Sequence, residues 1–277
     1  MQDSRRNTEP VVATVRYLEN DRDLALYRAS VAGGELVEHE GNYLDVPVSI
    51  ENARSGLPVE LDTDGFSLIK HPTAVTDFHD DSELPLYERE VISLLKDLMD
   101  ASDVLVFDHT RRSSSADLRK ELKLREASSV IHNDYSANSG RVRLQDFLAD
   151  QNLENESIYR DREFSIVNLW RSTAGTIKNY PLAMCHAQSV APADLVPIKR
   201  VGKERVGELQ LVLHNESHRW AWYPDMRDDE VLVFKTYDTR ETGCARFVPH
   251  TSFDCPGIPP DSPPRQSIET RCFVFQN

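Results

Sequence analysis

Ser128-Ser129-Val130-Ile131-His132-Asn133-Asp134-Tyr135-Ser136 is the stretch on which the fold of this 277-residue chain turns. Its β-branched pair Val130-Ile131 closes an apolar strand, and a histidine and an aspartate follow two positions apart. Residues i and i+2 of a strand face one side, so His132 and Asp134 can reach a common metal ion. Two histidines and one carboxylate on one face of the ion, with the opposite positions open, suit Fe(II). Taken alone, His-x-Asp is a weak signal, and a strand-end histidine in a surface hydrogen bond is its ordinary reading.

Working outward, the chain beyond His132 reads mostly as strands. Phe164-Ser165-Ile166-Val167-Asn168-Leu169-Trp170, Leu209 to Leu213, Trp220-Ala221-Trp222-Tyr223, Val231 to Phe234 and Thr270 to Phe275 are short apolar runs between turn signals. That spacing predicts a closed or double-sheet β architecture. Upstream, Val11 to Leu18 is β-branched, and Gly33-Gly34 marks a turn. Leu84, Leu86, Val91, Ile92, Leu94, Leu95, Leu98 and Met99 recur at helical spacing, which predicts a helix ending near Ser102. Val104 to Asp108 follows as a short buried strand, and Ala116 to Glu126 as a helix or a mobile loop. Helices that precede the strands, rather than alternating with them, disfavour a doubly wound parallel sheet. The expectation is a mainly β barrel with flanking helices in one domain spanning 1–277. Residues 1–103 support a core at 104–275.

Composition narrows the function classes. A formal charge of −14 and a pI near 5.1 oppose nucleic-acid binding. The basic run Lys199-Arg200…Lys203-Glu204-Arg205 is diluted by its glutamate and reads as a solvated surface. No apolar run reaches the roughly 18 residues of a membrane span. Residues 1–6 lack the apolar segment of a signal peptide. The four cysteines, Cys185, Cys244, Cys255 and Cys272, show no C-x-x-C spacing, which predicts reduced thiols in the cytoplasm and no cysteine-built zinc site.

A third ligand is expected from a later strand, across the barrel from His132, and a strand-borne arginine after it to grip a carboxylate with its planar fork. Pro249-His250-Thr251-Ser252-Phe253 followed by Pro264-Arg265-Gln266-Ser267-Ile268 supplies that order. His218 rivals His250, with Arg227 nine residues on, and Arg271 rivals Arg265. His250 is favoured because Pro249 fixes its backbone, whereas His218 sits in the polar stretch Asn215-Glu216-Ser217. Arg171, an arginine within a strand-rich region, is a candidate for a substrate carboxylate. Trp170, Trp220, Trp222 and Tyr223 line a pocket or pack the core. Asp108-His109 reads as a strand end with local hydrogen bonds, with a second metal site as the lesser alternative.

The same phrases carry a family resemblance. Val106-Phe107-Asp108-His109-Thr110-Arg111, Ile131-His132-Asn133-Asp134-Tyr135-Ser136, Val167-Asn168-Leu169-Trp170-Arg171, His218-Arg219-Trp220-Ala221-Trp222-Tyr223-Pro224, Pro249-His250-Thr251-Ser252-Phe253 and Arg265-Gln266-Ser267-Ile268-Glu269-Thr270-Arg271 stand in one order over about residues 104–275. The chain resembles the 2-oxoglutarate/Fe(II) dioxygenases, most closely the cephem 7α-methoxylase small-chain-like proteins of secondary metabolism, which include fungal hydroxylase/desaturases. The resemblance implies a jelly-roll barrel, Fe(II), 2-oxoglutarate, dioxygen and a small organic substrate that is hydroxylated, desaturated or cyclised. It matches His132, Asp134 and His250 to the metal triad, and Arg265, with Ser267 as a weaker partner, to the far carboxylate of 2-oxoglutarate. Trp170 and Arg171 fall to the substrate. One departure is His186, where relatives are expected to carry an acidic residue. A barrel that binds without turnover, or an accessory subunit, shares the fold but not the chemistry. The assembly is left open to a homodimer.

Overall fold

In the protein's structure, a computed structural model, residues 9–20, 25–28, 38–55, 59–151, 156–202 and 206–276 are described. The Gly33-Gly34 turn, the Lys203-Glu204-Arg205 end of the basic run and residues 1–6 lie outside them. Two sheets make the barrel. The larger contains β1 (Val11–Leu18), β2 (Leu26–Arg28), β3 (Glu38–Glu40), β4 (Tyr43–Asn52), β7 (His132–Asn133), β9 (Leu182–Cys185), β10 (Leu195–Val201), β11 (Val206–Val212), β12 (Trp220–Trp222) and β14 (His250–Ser252), ordered β1-β4-β12-β9-β14-β7-β11-β10-β2-β3. The smaller runs β5-β13-β8-β15-β6 through β5 (Phe66–Lys70), β13 (Glu230–Asp238), β8 (Ser165–Ser172), β15 (Gln266–Gln276) and β6 (Ala101–Ser113).

Period-two alternation decides which side chains enter the barrel. On β8, Ile166 and Trp170 pack inward, while Val167 and Leu169 face the helix α1 (Leu84–Met99). That helix presents Tyr87, Val91, Leu95 and Met99, one stripe at i+4 spacing, to the outer face of the smaller sheet. Full burial of a side chain of this kind is worth about 1.5–3 kcal/mol, which is why the stripe rather than helix propensity anchors α1. The helix stops at Asp100, whose φ of 50° is left-handed and whose N–H returns to the Lys96 carbonyl. That stop falls before the end expected near Ser102.

β6 is thirteen residues long rather than a short buried run. It is the edge strand paired with β15 along nearly its whole length, so its residues are mostly half-buried. Within 116–126, the helix α2 (Ala116–Glu121) forms, capped by the Ser115 hydroxyl accepting from the Leu118 N–H. α3 (Ser139–Gln151) and α4 (Glu156–Arg160) had no counterpart in the sequence reading. Trp220 and Trp222 pack on the outer side of the larger sheet, Trp220 donating to Tyr17 Oη and Trp222 edge-on to Phe253, so they are core residues. No helix among the described residues is long and apolar enough to cross a membrane.

Candidate metal centre and active site

His132 opens the two-residue strand β7, and Asp134 lies just past its end, where the chain bends. Asn133 points away from them, and its buried amide fastens the bend. Its Nδ2 donates to the Tyr135 carbonyl (2.6 Å), Gln210 Oε1 (3.0 Å) and the Thr236 carbonyl (3.0 Å), and its Oδ1 accepts from the Val248 N–H (3.2 Å). A buried amide with its partners supplied is stabilising, whereas a lone one costs about 1–3 kcal/mol.

His250 comes from β14, where it pairs directly with His132 on β7. The expected approach from across the barrel is thus replaced by an approach from the adjacent strand, with ring centroids 4.5 Å apart. The ligand atoms of His132, Asp134 and His250 all lie within 4.8 Å of one another, and no other such cluster of three occurs among the described residues. Each imidazole donates Nδ1–H to the carbonyl two residues before it: Val130 for His132 at 2.8 Å, Val248 for His250 at 3.0 Å. This fixes both rings with a bare Nε2, the form a metal requires. Burial, reinforced by the neighbouring His250, pushes the His132 imidazole down to about 4. Burial also lowers His250, so both rings are neutral near pH 7. Burial alone would raise the Asp134 carboxyl, but the Arg271 guanidinium, with a hydrogen bond from Asn168, outweighs it and holds the group ionised. Two neutral imidazoles and one carboxylate, buried and convergent, fit a divalent iron ion.

Beside the triad, a cavity is lined by Arg112, Ser128, Trp170, Thr251, Arg265 and Glu269, among others. Arg265 reaches in from the start of β15, with Nη1 donating to the Tyr180 carbonyl at 2.7 Å and the guanidinium 5.6 Å from the Trp170 ring centre. Its Nε and the Ser267 hydroxyl are buried without hydrogen-bond partners. Burial, reinforced by Arg112, pushes the Arg265 guanidinium below the usual arginine range, the signature of a cation kept short of a counter-charge. Both are donors of the kind a carboxylate accepts from.

Other expected residues lie elsewhere. Arg171 follows the inward Trp170 by one position and therefore faces out, donating to the His71 carbonyl (2.8 Å) and resting over Tyr87. It does not line this cavity, where its assignment to the substrate would place it. His218 has both ring nitrogens occupied, by Tyr17 Oη and Asp194 Oδ2, each at 3.1 Å, and stacks on Tyr17. His109 is held by Thr270 and Glu88, and His186 by Asp64 at 2.7 Å. Arg271 does not offer itself to the cavity, because its guanidinium is taken up by Asp134, Asp108 and Glu269. Asn168, Glu269 and Arg112 escaped the sequence reading. The signal for Asn168 was a polar residue at an inward position of an otherwise apolar strand.

A jelly-roll barrel with this triad defines the class of non-haem iron oxygenases. The model of a family described as an oxidoreductase/YMDC permease-like domain matches residues 15–275. The chain is 32% identical over 237 residues to hydroxylase/desaturase CTB9 of Cercospora beticola, covering 78% of this chain and 71% of the relative. It is 31% identical over 226 residues to alpha-ketoglutarate-dependent dioxygenase phiK of Fungal sp. (strain ATCC 74256), covering 78% and 79%. Its fold matches the iron and alpha-ketoglutarate-dependent endoperoxidase NvfI with a TM-score of 0.79 at 22% identity, over 97% of this chain and 99% of that one. The chain belongs to this family of fungal hydroxylase/desaturases and 2-oxoglutarate-dependent dioxygenases, oxidoreductases that use Fe(II), 2-oxoglutarate and dioxygen.

Proposed function

We propose that His132, Asp134 and His250 hold the Fe(II), that Arg265 with Ser267 receives the far carboxylate of 2-oxoglutarate, and that Trp170 borders the space where a small organic substrate is oxidised. The observation that supports the triad most directly is its convergence, with both histidines pinned through Nδ1 so that Nε2 faces the centre. When bound, the iron with 2-oxoglutarate would activate dioxygen, the oxidant for an unactivated C–H bond. The chain's own part is placement and exclusion. Val130 and Val248 orient the imidazoles. Arg265 carries unmatched positive charge to the point where an anion must stop, and Trp170 backs that guanidinium with an apolar wall that keeps water out.

The product of the reaction depends on which substrate hydrogen is held nearest the metal, so hydroxylation, desaturation and ring formation share this site. The similar proteins act as hydroxylase/desaturases and an endoperoxidase, which supports a role in secondary metabolism. Four free cysteines favour a reducing, cytoplasmic setting. Whether the working unit is a monomer or a homodimer is read by light scattering. The test of the site is anaerobic addition of Fe(II) and 2-oxoglutarate. A weak visible charge-transfer band that is absent from His132→Ala supports the assignment. No band in the unaltered protein points instead to a barrel that binds without turnover.

A further inference from the structure

The geometry points to Arg271 and Asn168 as a clamp that restricts Asp134 to one-oxygen ligation, so that the metal keeps the positions a 2-oxo acid needs; this rests on the metal-centre reading above. The two carboxylate oxygens of Asp134 stand in different surroundings. Oδ1 lies 3.6 Å from His132 Nε2, on the side of the triad. Oδ2 accepts from Arg271 Nε at 2.9 Å and from Asn168 Nδ2 at 2.8 Å. A carboxylate with both oxygens free can chelate a cation, whereas one whose second oxygen already accepts two hydrogen bonds is held to a single metal contact.

The clamp is itself fixed from three strands. Arg271 Nη1 donates to Asp108 Oδ2 at 2.6 Å and to Thr110 Oγ1 at 3.1 Å, both on β6. Its Nη2 pairs with Glu269 on its own strand, and Asn168 Nδ2 on β8 reaches Glu269 Oε1 at 3.0 Å. Burial opposes the Arg271 charge, but Asp134, Glu269 and Asp108 more than restore it, so the guanidinium stays charged and stays put. Each of its three nitrogens is engaged by a protein carboxylate, which leaves no fork for an incoming anion. Arg265, just before the same strand, has a free Nε and does have one.

The count of positions gives the clamp its purpose. In an octahedral ion, two imidazoles and a one-oxygen carboxylate leave three positions open; a chelating carboxylate leaves two. A 2-oxo acid binding through two oxygens needs a further position beside it for the oxidant. Releasing Oδ2 therefore costs the co-substrate more than it costs the metal, because the second oxygen strengthens the carboxylate's own hold.

Co(II) serves as the probe, titrated into the unaltered chain, Arg271→Gln and Asn168→Ala. 2-Oxoglutarate and 2-oxobutyrate, which lacks the far carboxylate, are then titrated into each loaded protein. We expect Co(II) to be retained with an altered visible spectrum, and affinity for both 2-oxo acids to fall roughly ten- to a hundredfold in Arg271→Gln. Asn168→Ala, which removes one neutral donor, falls less in the same sense. A lower melting temperature with unchanged 2-oxo acid affinity makes Arg271 merely structural and overturns the inference. So does a loss confined to 2-oxoglutarate, which would make Arg271 a binder of the far carboxylate. Should Arg271→Gln fail to fold, Asn168→Ala decides, and unchanged affinities there overturn the clamp. If the unaltered chain takes up no Co(II), the metal-centre reading itself fails, and the inference with it.

Discussion

Replacing Arg265 by glutamine separates the two ends of 2-oxoglutarate. In the structure this side chain is almost fully buried and makes one hydrogen bond, to the Tyr180 carbonyl, while its Nε has none. A carboxylate arriving at that guanidinium forms charge-assisted bonds in a site with little water, each kind worth about 1.5–3 kcal/mol. Losing the fork therefore weakens 2-oxoglutarate by roughly ten- to more than a hundredfold, at about 1.4 kcal/mol per decade. The same change should leave the ligand-free protein as stable as before, or more so. A buried donor without a partner costs about 1–3 kcal/mol; glutamine, two bonds shorter, removes that donor and the buried charge, which offsets the lost Tyr180 bond.

The assay is anaerobic titration of 2-oxoglutarate and 2-oxobutyrate into metal-loaded protein, with thermal denaturation of the ligand-free form alongside. Arg265→Gln should lose affinity for the dicarboxylate and keep that for the monocarboxylate, since the chelating end is untouched. Equal losses for both acids would refute this, as would an unchanged 2-oxoglutarate affinity. Either result would move the far carboxylate away from Arg265, with Arg112, which also lines the cavity, as the next cation to replace.

Three further outcomes follow from the same geometry. His132→Ala, Asp134→Ala and His250→Ala should each fold and lose bound iron, read by metal analysis of the purified proteins; full occupancy in Asp134→Ala would remove the carboxylate from the triad. Gly65 adopts a φ of +88°, and a Cβ there would stand 2.2 Å from Val248 Cγ2. Gly65→Ala should cost about 1–3 kcal/mol in urea unfolding and also weaken metal binding, because the Val248 carbonyl orients His250. The metal-free protein should lose stability as the solution is taken from about pH 7 to about pH 5. Burial lowers His132 to about 4 and also depresses His218 and His250 below their ordinary 6.5. Within that window the unfolded chain binds protons that the folded chain refuses, so stability rises with pH; urea midpoints that are flat or higher at low pH would contradict it.

The barrel strands were legible because their β-branched and aromatic runs are short, apolar and bounded by turn residues. α3 was not, because only Gly140, Leu144 and Leu148 of its thirteen residues are buried and Val142 is half exposed, which blurs the helical stripe. β7 was legible as the end of an apolar strand, yet only His132 and Asn133 are strand; Val130 makes a single bridge to Arg16. Asp134 reaches the triad through the bend that Asn133 fastens rather than through strand alternation. That contact depends on tertiary partners on β11 and β13, which no local pattern contains.

Arg271 on β15 and Arg265 just before it show most sharply where sequence stops and register begins. Arg265 and Arg271 are six positions apart, an even number, so alternation sends both into the barrel and cannot rank them. What separates them is the cross-strand neighbour at each level. Beside Arg271, β15 pairs with Asp108 on β6 and Asn168 on β8, and Asp134 projects into the same layer. Carboxylates therefore meet that guanidinium from three directions and consume its donors. Four residues earlier on the strand, Ser267 pairs with Arg112 and Ser172, so no acidic residue stands opposite to neutralise the mouth of the barrel. The strand thus runs from a layer with surplus positive charge, open to an anion, to a layer where negative charge is already matched. A metal ligand belongs at the matched end, where its second oxygen can be held, and a dicarboxylate belongs at the other. The same residue type at two inward positions takes opposite tasks because the register delivers carboxylates to one level and withholds them from the other.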